Sequence, residues 1–286
     1  MYKIVDEGFV RDCIKPRRID SHKGENGVVL VVGGSWMYHG APFLAAMAAL
    51  RCGADLAYIA APEKIVPSIR ALSPAIIAIP LTDLKLTRGA ARRILRMLPK
   101  VDSLVIGPGL ESGSEPGIEL VVDEAGALGK GMVLDAGSLY PEILDHVRGR
   151  RVVLTPHAGE FKRVFGVEPP RDVDERVKLV TEYARKNGVT ILLKGRRDVI
   201  SDGAEVAVNE TGTPAMTAGG TGDVLSGLVA AFLAWGVEPF RAAASAAWIN
   251  GKCGELVAER LGLHILATDL IDAIPQVMKK FDRIEE

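Results

Sequence analysis

The sequence predicts an open α/β domain, a mostly parallel β-sheet with helices on both faces. Three observations carry that expectation. Short apolar strands alternate with helical segments from Gly27 to Gly195. The strands are continuous runs of Val, Ile, Leu and Ala, the pattern of strands covered on both faces. The core palette is narrow, with 48% apolar but only 5% aromatic residues, which suits β-branched strands under Ala-rich helices.

Residues 1–21 form a polar, partly basic lead-in. "GVVLVVGGS" (Gly27 to Ser35) is then a β-branched run stopped by paired glycines, and "APFLAAMAALRCG" (Ala41 to Gly53) has helix formers closed by Gly, giving strand, tight turn and helix. "DLAYIAAP" reads as strand, "EKIVPSIRALS" as helix, "PAIIAIPL" as strand, "TRGAARRILRMLP" as helix and "SLVIGPGL" as strand with a Gly-Pro-Gly turn. "EPGIELVVDEAGALG" follows as helix, "GMVLDAGS" as strand, "RVVLTPHAGE" as strand running into a loop, "VDERVKLVTEYARKNG" as helix and "VTILLKG" as strand. The rhythm then changes. Asp202-Gly203 separates two alternating runs and predicts a hairpin. A glycine-rich loop, Thr211 to Gly222, leads into three helices, Asp223 to Trp235, Pro239 to Leu261 and Thr268 to Phe281. No linker, low-complexity tract or fixed-period repeat divides the 286 residues, so the chain reads as one domain, 1–286.

Composition narrows the function classes. A formal net charge of -1 gives no electrostatic reason to expect nucleic acid or an anionic membrane as partner, so any phosphate recognition must be local. Cys13, Cys52 and Cys253 are odd in number and far apart, which argues against a disulfide framework or zinc site and for a reducing cytoplasm. Charged residues interrupt the first twenty positions, and the most apolar later segments contain Ser or Gly. A soluble, unexported protein is expected.

In an open α/β sheet ligands bind outside the carboxyl ends of the strands. The turns at those ends are rich in Gly, Pro and polar residues, and "TAGGTGDVLSG" (Thr217 to Gly227) is the most informative. Gly219, Gly220 and Gly222 open a helix, where bare backbone lets free N–H groups approach an anion and the helix dipole favours one. Thr221 belongs to the same turn. Asp223 would repel that anion, so its placement needs a chemical reason. A general base supplies one, taking the proton from a hydroxyl that attacks the phosphorus. As a first-turn acid it also has a plainer reading, a helix cap. Lys194 and the following Gly195, Arg196, Arg197 and Asp198 offer charge and backbone donors to a nucleotide, or form a solvated surface cluster. His157 in "TPHAGE" reads as a substrate contact; Glu160 either holds a magnesium-bound water or simply starts a helix. Asp135 in "VLDAGS" reads as a turn residue, and Gly109 matters only where a flat ligand packs on bare backbone. Walker, dinucleotide, zincin and Ser-elbow motifs are absent.

Taken in order, "HKGENGVVLVVGGSWMYHGAPFLAAMAALRCGADL", "VIGPGL", "VLDAGSLY", "VLTPHAGEF", "ILLKG", "NETGTPAMTAGGTGDVLSGLVAAFLAWG" and "ATDLIDAIP" resemble the NAD(P)H-hydrate dehydratase family of the ribokinase-like fold. The resemblance runs from about His22 to Pro275. "GGTGD" alone is shared with many ribokinase-like kinases; the combination is far more specific.

The resemblance implies a repair lyase. It would return the S-form of hydrated NADH or NADPH to NADH or NADPH by phosphorylating the ring hydroxyl with ADP, releasing AMP and phosphate; animal and fungal members use ATP. It further implies Asp223 as catalytic base, Ala41, Gly109, His157 and Asp223 around the hydrated dinucleotide, and Lys194 to Asp198, Asn209 and Gly219 to Gly222 around the nucleotide, with Mg²⁺. A homotetramer and reliance on a separate hydrate epimerase are also implied, because only about twenty residues precede the matching region. Two departures stand out: Ala158 where the family usually has Pro, and Gly137 where it commonly has an acid or polar residue. A hydroxyethylthiazole- or hydroxymethylpyrimidine-type kinase, or an inactive nucleotide-binding regulator, remains the alternative.

Overall fold

Helical crossovers after each strand return the chain to the same end of the sheet, so successive strands run parallel. The computed structural model describes residues 2–286. The chain opens with β1 (Lys3–Ile4), α1 (Glu7–Arg11) and β2 (Arg17–Arg18). The alternating core follows: β3 (Val28–Val32), α2 (Gly40–Cys52), β4 (Leu56–Pro62), α3 (Val66–Leu72), β5 (Ile77–Leu81), α4 (Arg88–Leu95), β6 (Ser103–Ile106), α5 (Glu115–Ala127) and β7 (Gly131–Leu134). Next come α6 (Leu144–Val147), β8 (Val152–Leu154), α7 (Ala158–Phe165), α8 (Val173–Asn187), β9 (Thr190–Leu193) and the hairpin β10 (Asp198–Ser201) and β11 (Val206–Asn209). Helices α9 (Thr221–Ala234), α10 (Pro239–Leu261) and α11 (Ala267–Met278) precede β12 (Ile284–Glu285).

Ten strands form one sheet in the order β1-β11-β10-β9-β8-β7-β6-β3-β4-β5, and β12 pairs separately with β2. Among the described residues only β10 runs against the rest of the large sheet. The order reverses where β6 lies beside β3, the switch point at which crossovers diverge and a crevice opens. Strand residues alternate between two cores. Val29, Val31, Val105, Val133 and Val153 pack under α2, α9, α10 and α11. Val28, Leu30, Val32, Leu104 and Leu134 face α4, α5, α7 and α8. The expected fold class and all the core strands of the alternating region are present.

Three differences have local causes. The lead-in contributes two short strands and α1, because backbone pairing needs no apolar periodicity: β1 adds to the sheet edge beside β11. Residues after "TPH" form α7 at once, since the His157 side chain caps it. Helix α9 begins at Thr221, two residues earlier than its sequence suggests.

Helix α9 is apolar nearly all round because it lies between the sheet and other helices. Its Gly227 faces the backbone carbonyl of Ala45 on α2, where a Cβ has no room. The two helices therefore cross backbone to backbone, and both begin at the carboxyl edge of the sheet.

Candidate active site

The first turn of α9 is shaped by Gly220, its N-cap residue, at φ +93°. A Cβ there would lie 2.6 Å from Leu44 Cδ1 and 3.0 Å from Ala267 Cβ, so conformation and space both demand glycine. Thr221 Oγ1 donates to the carbonyls of Met216 (2.9 Å) and Ala218 (3.1 Å), folding the preceding loop beneath the helix. The first-turn N–H groups of Thr221, Gly222 and Asp223 have no acceptor within the helix, which leaves this end the donors and dipole that suit an anion. Gly219 sits just ahead of the cap.

Asp223 does not cap the helix: among the described residues its carboxylate makes no hydrogen bond to backbone. It sits in the field of a buried charge cluster instead. Asp135, at the end of β7, is 2% exposed and receives Lys194 Nζ at 2.9 Å and Thr155 Oγ1 at 2.9 Å on Oδ1, and Ser226 Oγ at 2.7 Å on Oδ2. Ser226 lies one turn beyond Asp223 on α9, so Asp135 ties that helix to β7, β8 and β9. Burial pushes the Asp223 carboxyl up to about 7; Asp135 and Glu160 push the same way, and Lys194 opposes them. For Lys194, burial works against the ammonium, but Asp135, Glu160 and Asp223 together overcome it and raise the pKa. A carboxylate poised near neutrality beside an anion-binding helix start can accept a proton from a hydroxyl.

A cavity of about 580 Å³ opens beside this helix start. It gathers His157, Lys194, Gly195, Arg196, Asp198, Thr221 and Gly222 of the expected residues. Asp198 is fixed rather than free: Oδ1 accepts from Gly195 N–H at 3.0 Å and Oδ2 from Asn209 Nδ2 at 3.0 Å. Burial raises the Asp198 pKa against the help of these two donors and of Arg176 and Lys194. Asn209 lies behind the cavity wall and also orders Thr211, whose Oγ1 donates to its Oδ1 at 2.8 Å. Arg197 turns to the surface and pairs with Glu210 at 3.0 Å, so it does not line the cavity.

Ala41, Gly109 and Asp223 also lie outside that cavity's walls. Gly109 packs against the Tyr38 backbone and Gly34, at the β3/β6 switch point. Ala41 is one helical turn before Ala45 on α2, as Asp223 is one turn before Gly227 on α9, so the crossing of these helices brings both to one crevice. Trp36, Met37 and Tyr38 stand exposed on the loop between β3 and α2, an apolar rim to that crevice. The first turn of α9 thus lines the cavity through Thr221 and Gly222 and also starts beside the first turn of α2.

Glu160 is already engaged. Its Oε2 accepts from His157 N–H at 2.8 Å and lies 3.7 Å from Lys194 Nζ, while His157 Nδ1 accepts from Gly159 and Glu160 N–H. Among the described residues no group of three or more His, Cys, Asp and Glu could hold a metal ion. The donor set therefore does not form a protein cage for Mg²⁺.

Sequence reasoning missed the charge cluster. Asp135 read as a turn residue, and Thr155 and Ser226 drew no notice, because partners 20 and 91 positions away leave no local pattern. The Gly137 departure has a reason: a side chain there would run into the Leu110 carbonyl. The signal available was one buried-type strand, "GMVL", ending in an acid.

A profile of the NAD(P)H-hydrate dehydratase family matches residues 29–276. The chain is 50% identical to the ADP-dependent (S)-NAD(P)H-hydrate dehydratase of Cenarchaeum symbiosum over 99% of both chains. It is 51% identical to a bifunctional NAD(P)H-hydrate repair enzyme of Pyrobaculum aerophilum over 93% of this chain and 53% of that one. Among solved structures, the ADP/ATP-dependent NAD(P)H-hydrate dehydratase of Bacillus subtilis, co-crystallised with ATP and Mg²⁺, superposes with a TM-score of 0.85 at 30% identity, over 98% of this chain and 99% of that one. A hydroxyethylthiazole kinase of Pyrococcus horikoshii matches less closely, with a TM-score of 0.67 at 21% identity, a likeness of fold alone. With 248 matched positions and a relative of equal length at half identity, the chain belongs to the NAD(P)H-hydrate dehydratase family.

Proposed function

We propose that this protein catalyses the ADP-dependent dehydration of the S-form of hydrated NADH or NADPH, releasing AMP and phosphate. The observation that carries the reading is Asp223, a carboxylate with no capping bond at the start of an anion-binding helix, beside Lys194. Neighbouring spaces suit the two reactants. Thr221 and Gly222 at the helix start, with Lys194, Gly195, Arg196 and Asp198, line the 580 Å³ cavity and receive the nucleotide there, with Gly219 and Gly220 just ahead of them. Hydrated nicotinamide enters the crevice by Ala41, Gly109 and Tyr38; His157, at the cap of α7, lines the nucleotide cavity and approaches the substrate from that side.

Asp223 takes the hydroxyl proton as that oxygen attacks the terminal phosphorus of ADP. The new O–P bond forms as the P–O bond to AMP breaks, and the N–H groups of α9 with Lys194 meet the charge on the transferred group. Phosphate is then a far better leaving group than hydroxide. Its departure, with loss of a ring proton, restores the double bond. Bound with the nucleotide, Mg²⁺ would help neutralise the phosphate charge, with Glu160 the residue expected to hold one of its waters.

The test supplies hydrated NADH with ADP and magnesium and follows near-ultraviolet absorbance. Recovery of the reduced-nicotinamide band with stoichiometric AMP supports the reading. A stable phosphorylated product without that recovery would instead assign a kinase. The bifunctional relative also supports coupling to a hydrate epimerase, checked by whether turnover on mixed epimers stops half-way without one.

A further inference from the structure

A second cavity, about 940 Å³, lies at the opposite end of the sheet. Helices α2 and α9 begin at the active-site edge, and their far ends, Cys52, Gly53, Ala234 and Trp235, line this space. Thirteen residues of α2 at 1.5 Å rise separate the two ends by about 20 Å. The end of α11 forms another wall, and the β2–β12 pair bounds the cavity as a strap made from the two terminal segments. Its volume is in the range of small-molecule sites.

The lining is amphipathic. Trp235, Met278, Phe281 and Ile14 supply the apolar part, and Trp235 has its one polar side-chain atom occupied, since Nε1 donates to the Asn26 carbonyl at 2.9 Å. What it offers inward is an aromatic surface. Around it stand six cations, Lys15, Arg17, Arg18, Arg51, Lys279 and Arg283, against three carboxylates, Glu25, Asp282 and Glu285. That excess is local, for the whole chain has a net charge of -1.

Three of the cations are spent on the fold. Arg17 donates to the Gly53 carbonyl at the end of α2 (2.7 Å), Arg18 is held by Asp20 (2.7 Å), and Arg283 donates to the Ile14 carbonyl. The others are not. Arg51 has its nearest carboxylate, Asp272, at 4.0 Å, and Lys15 and Lys279 make no ion pair or side-chain hydrogen bond among the described residues. An aromatic floor with uncommitted cations at its mouth is complementary to a flat anion.

We propose that this cavity is a binding site for a small aromatic anion, separate from the active site, with its ring on Trp235 and its charged group held by Lys15, Arg51 and Lys279. Sulfonate, carboxylate and phosphate all supply the charge, and these side chains recognise them alike.

The test titrates the folded protein with 8-anilinonaphthalene-1-sulfonate, with and without saturating ADP. One saturable site is expected, still open to the probe at ADP concentrations that just fill the active site. In the triple variant Lys15→Glu, Arg51→Glu, Lys279→Glu, affinity falls at least tenfold while circular dichroism and turnover stay at wild-type levels. Replacing the probe by 1-naphthyl phosphate or 1-naphthoate should give competition at the same site. Displacement of the probe by ADP with the same midpoint in the triple variant as in the wild type would place the probe in the active site and overturn the proposal. So would an unchanged affinity in the triple variant, the absence of saturable binding, or a variant that changes sedimentation state, which would make the cavity part of a subunit interface.

Discussion

Lys194 Nζ lies 2.9 Å from Asp135 Oδ1, and the same ammonium faces Glu160 at 3.7 Å. Lys194 is therefore aimed by a carboxylate that is itself buried and stands outside the cavity wall. Asp135→Asn removes one like charge near Asp223, so the carboxyl of Asp223 becomes easier to ionise. The acid limb of the kcat profile should move to lower pH, while kcat at its plateau falls because Lys194 is no longer held. Breaking a buried pair on one side should also cost about 3 kcal/mol of stability, read by denaturant unfolding. An unmoved acid limb would show that Asp135 acts on packing alone.

Asp223 itself sets the pH dependence. Its carboxyl is pushed up to about 7, chiefly by burial, and only the ionised form can accept a proton. Turnover should rise with pH through about 7 and level off above it. In Asp223→Asn, turnover should fall by about 10³-fold or more with nucleotide affinity nearly intact.

Stability should move the other way. A carboxyl whose folded pKa is raised above its unfolded value favours folding while protonated and loses that contribution as pH climbs towards the folded pKa. At pH 8 the wild-type protein carries this penalty in full. Asp223→Asn should then be more stable by roughly 2–4 kcal/mol, the span of a shift to about 7, with no gain at pH 3. Thermal unfolding at the two pH values checks it.

Gly227→Ala tests the helix crossing. The new methyl group meets the Ala45 backbone carbonyl, so α9 must move away from α2 or strain against it. A loss of about 3 kcal/mol is expected, together with a raised KM for the hydrate, because the crevice between Ala41 and Asp223 depends on that crossing.

Asp198→Asn leaves volume unchanged but turns one acceptor into a donor, which must face either Gly195 N–H or Asn209 Nδ2. The turn after Lys194 should loosen. KM for ADP should rise about tenfold with KM for the hydrate unchanged, measured by varying each reactant separately.

Much of this was legible in the residues. Val28–Val32, 104–106 and 132–134 announced a doubly covered sheet by being apolar throughout, and Asp202-Gly203 announced its hairpin. The glycines before Asp223 marked the bare-backbone start of α9. The strand β1 stayed hidden because two residues carry no periodicity, and a basic run does not say which member faces inward, so the pairing of Arg197 with Glu210 outside the cavity wall left no trace in the sequence. Asp135 was hardest to read. Its importance lies in three donors from three other elements, and only the tertiary fold puts them together.

The pairing of β1 with β11, and of β2 with β12, has a further consequence for synthesis on the ribosome. Residues 3–4 and 17–18 are made well before their partners at 207–208 and 284–285, so these early segments must wait unpaired while the residues between are synthesised. Loop closure over such separations is slow compared with the neighbouring crossovers. The sheet should therefore grow outward from β3 as its crossovers close, with the terminal strap locked last.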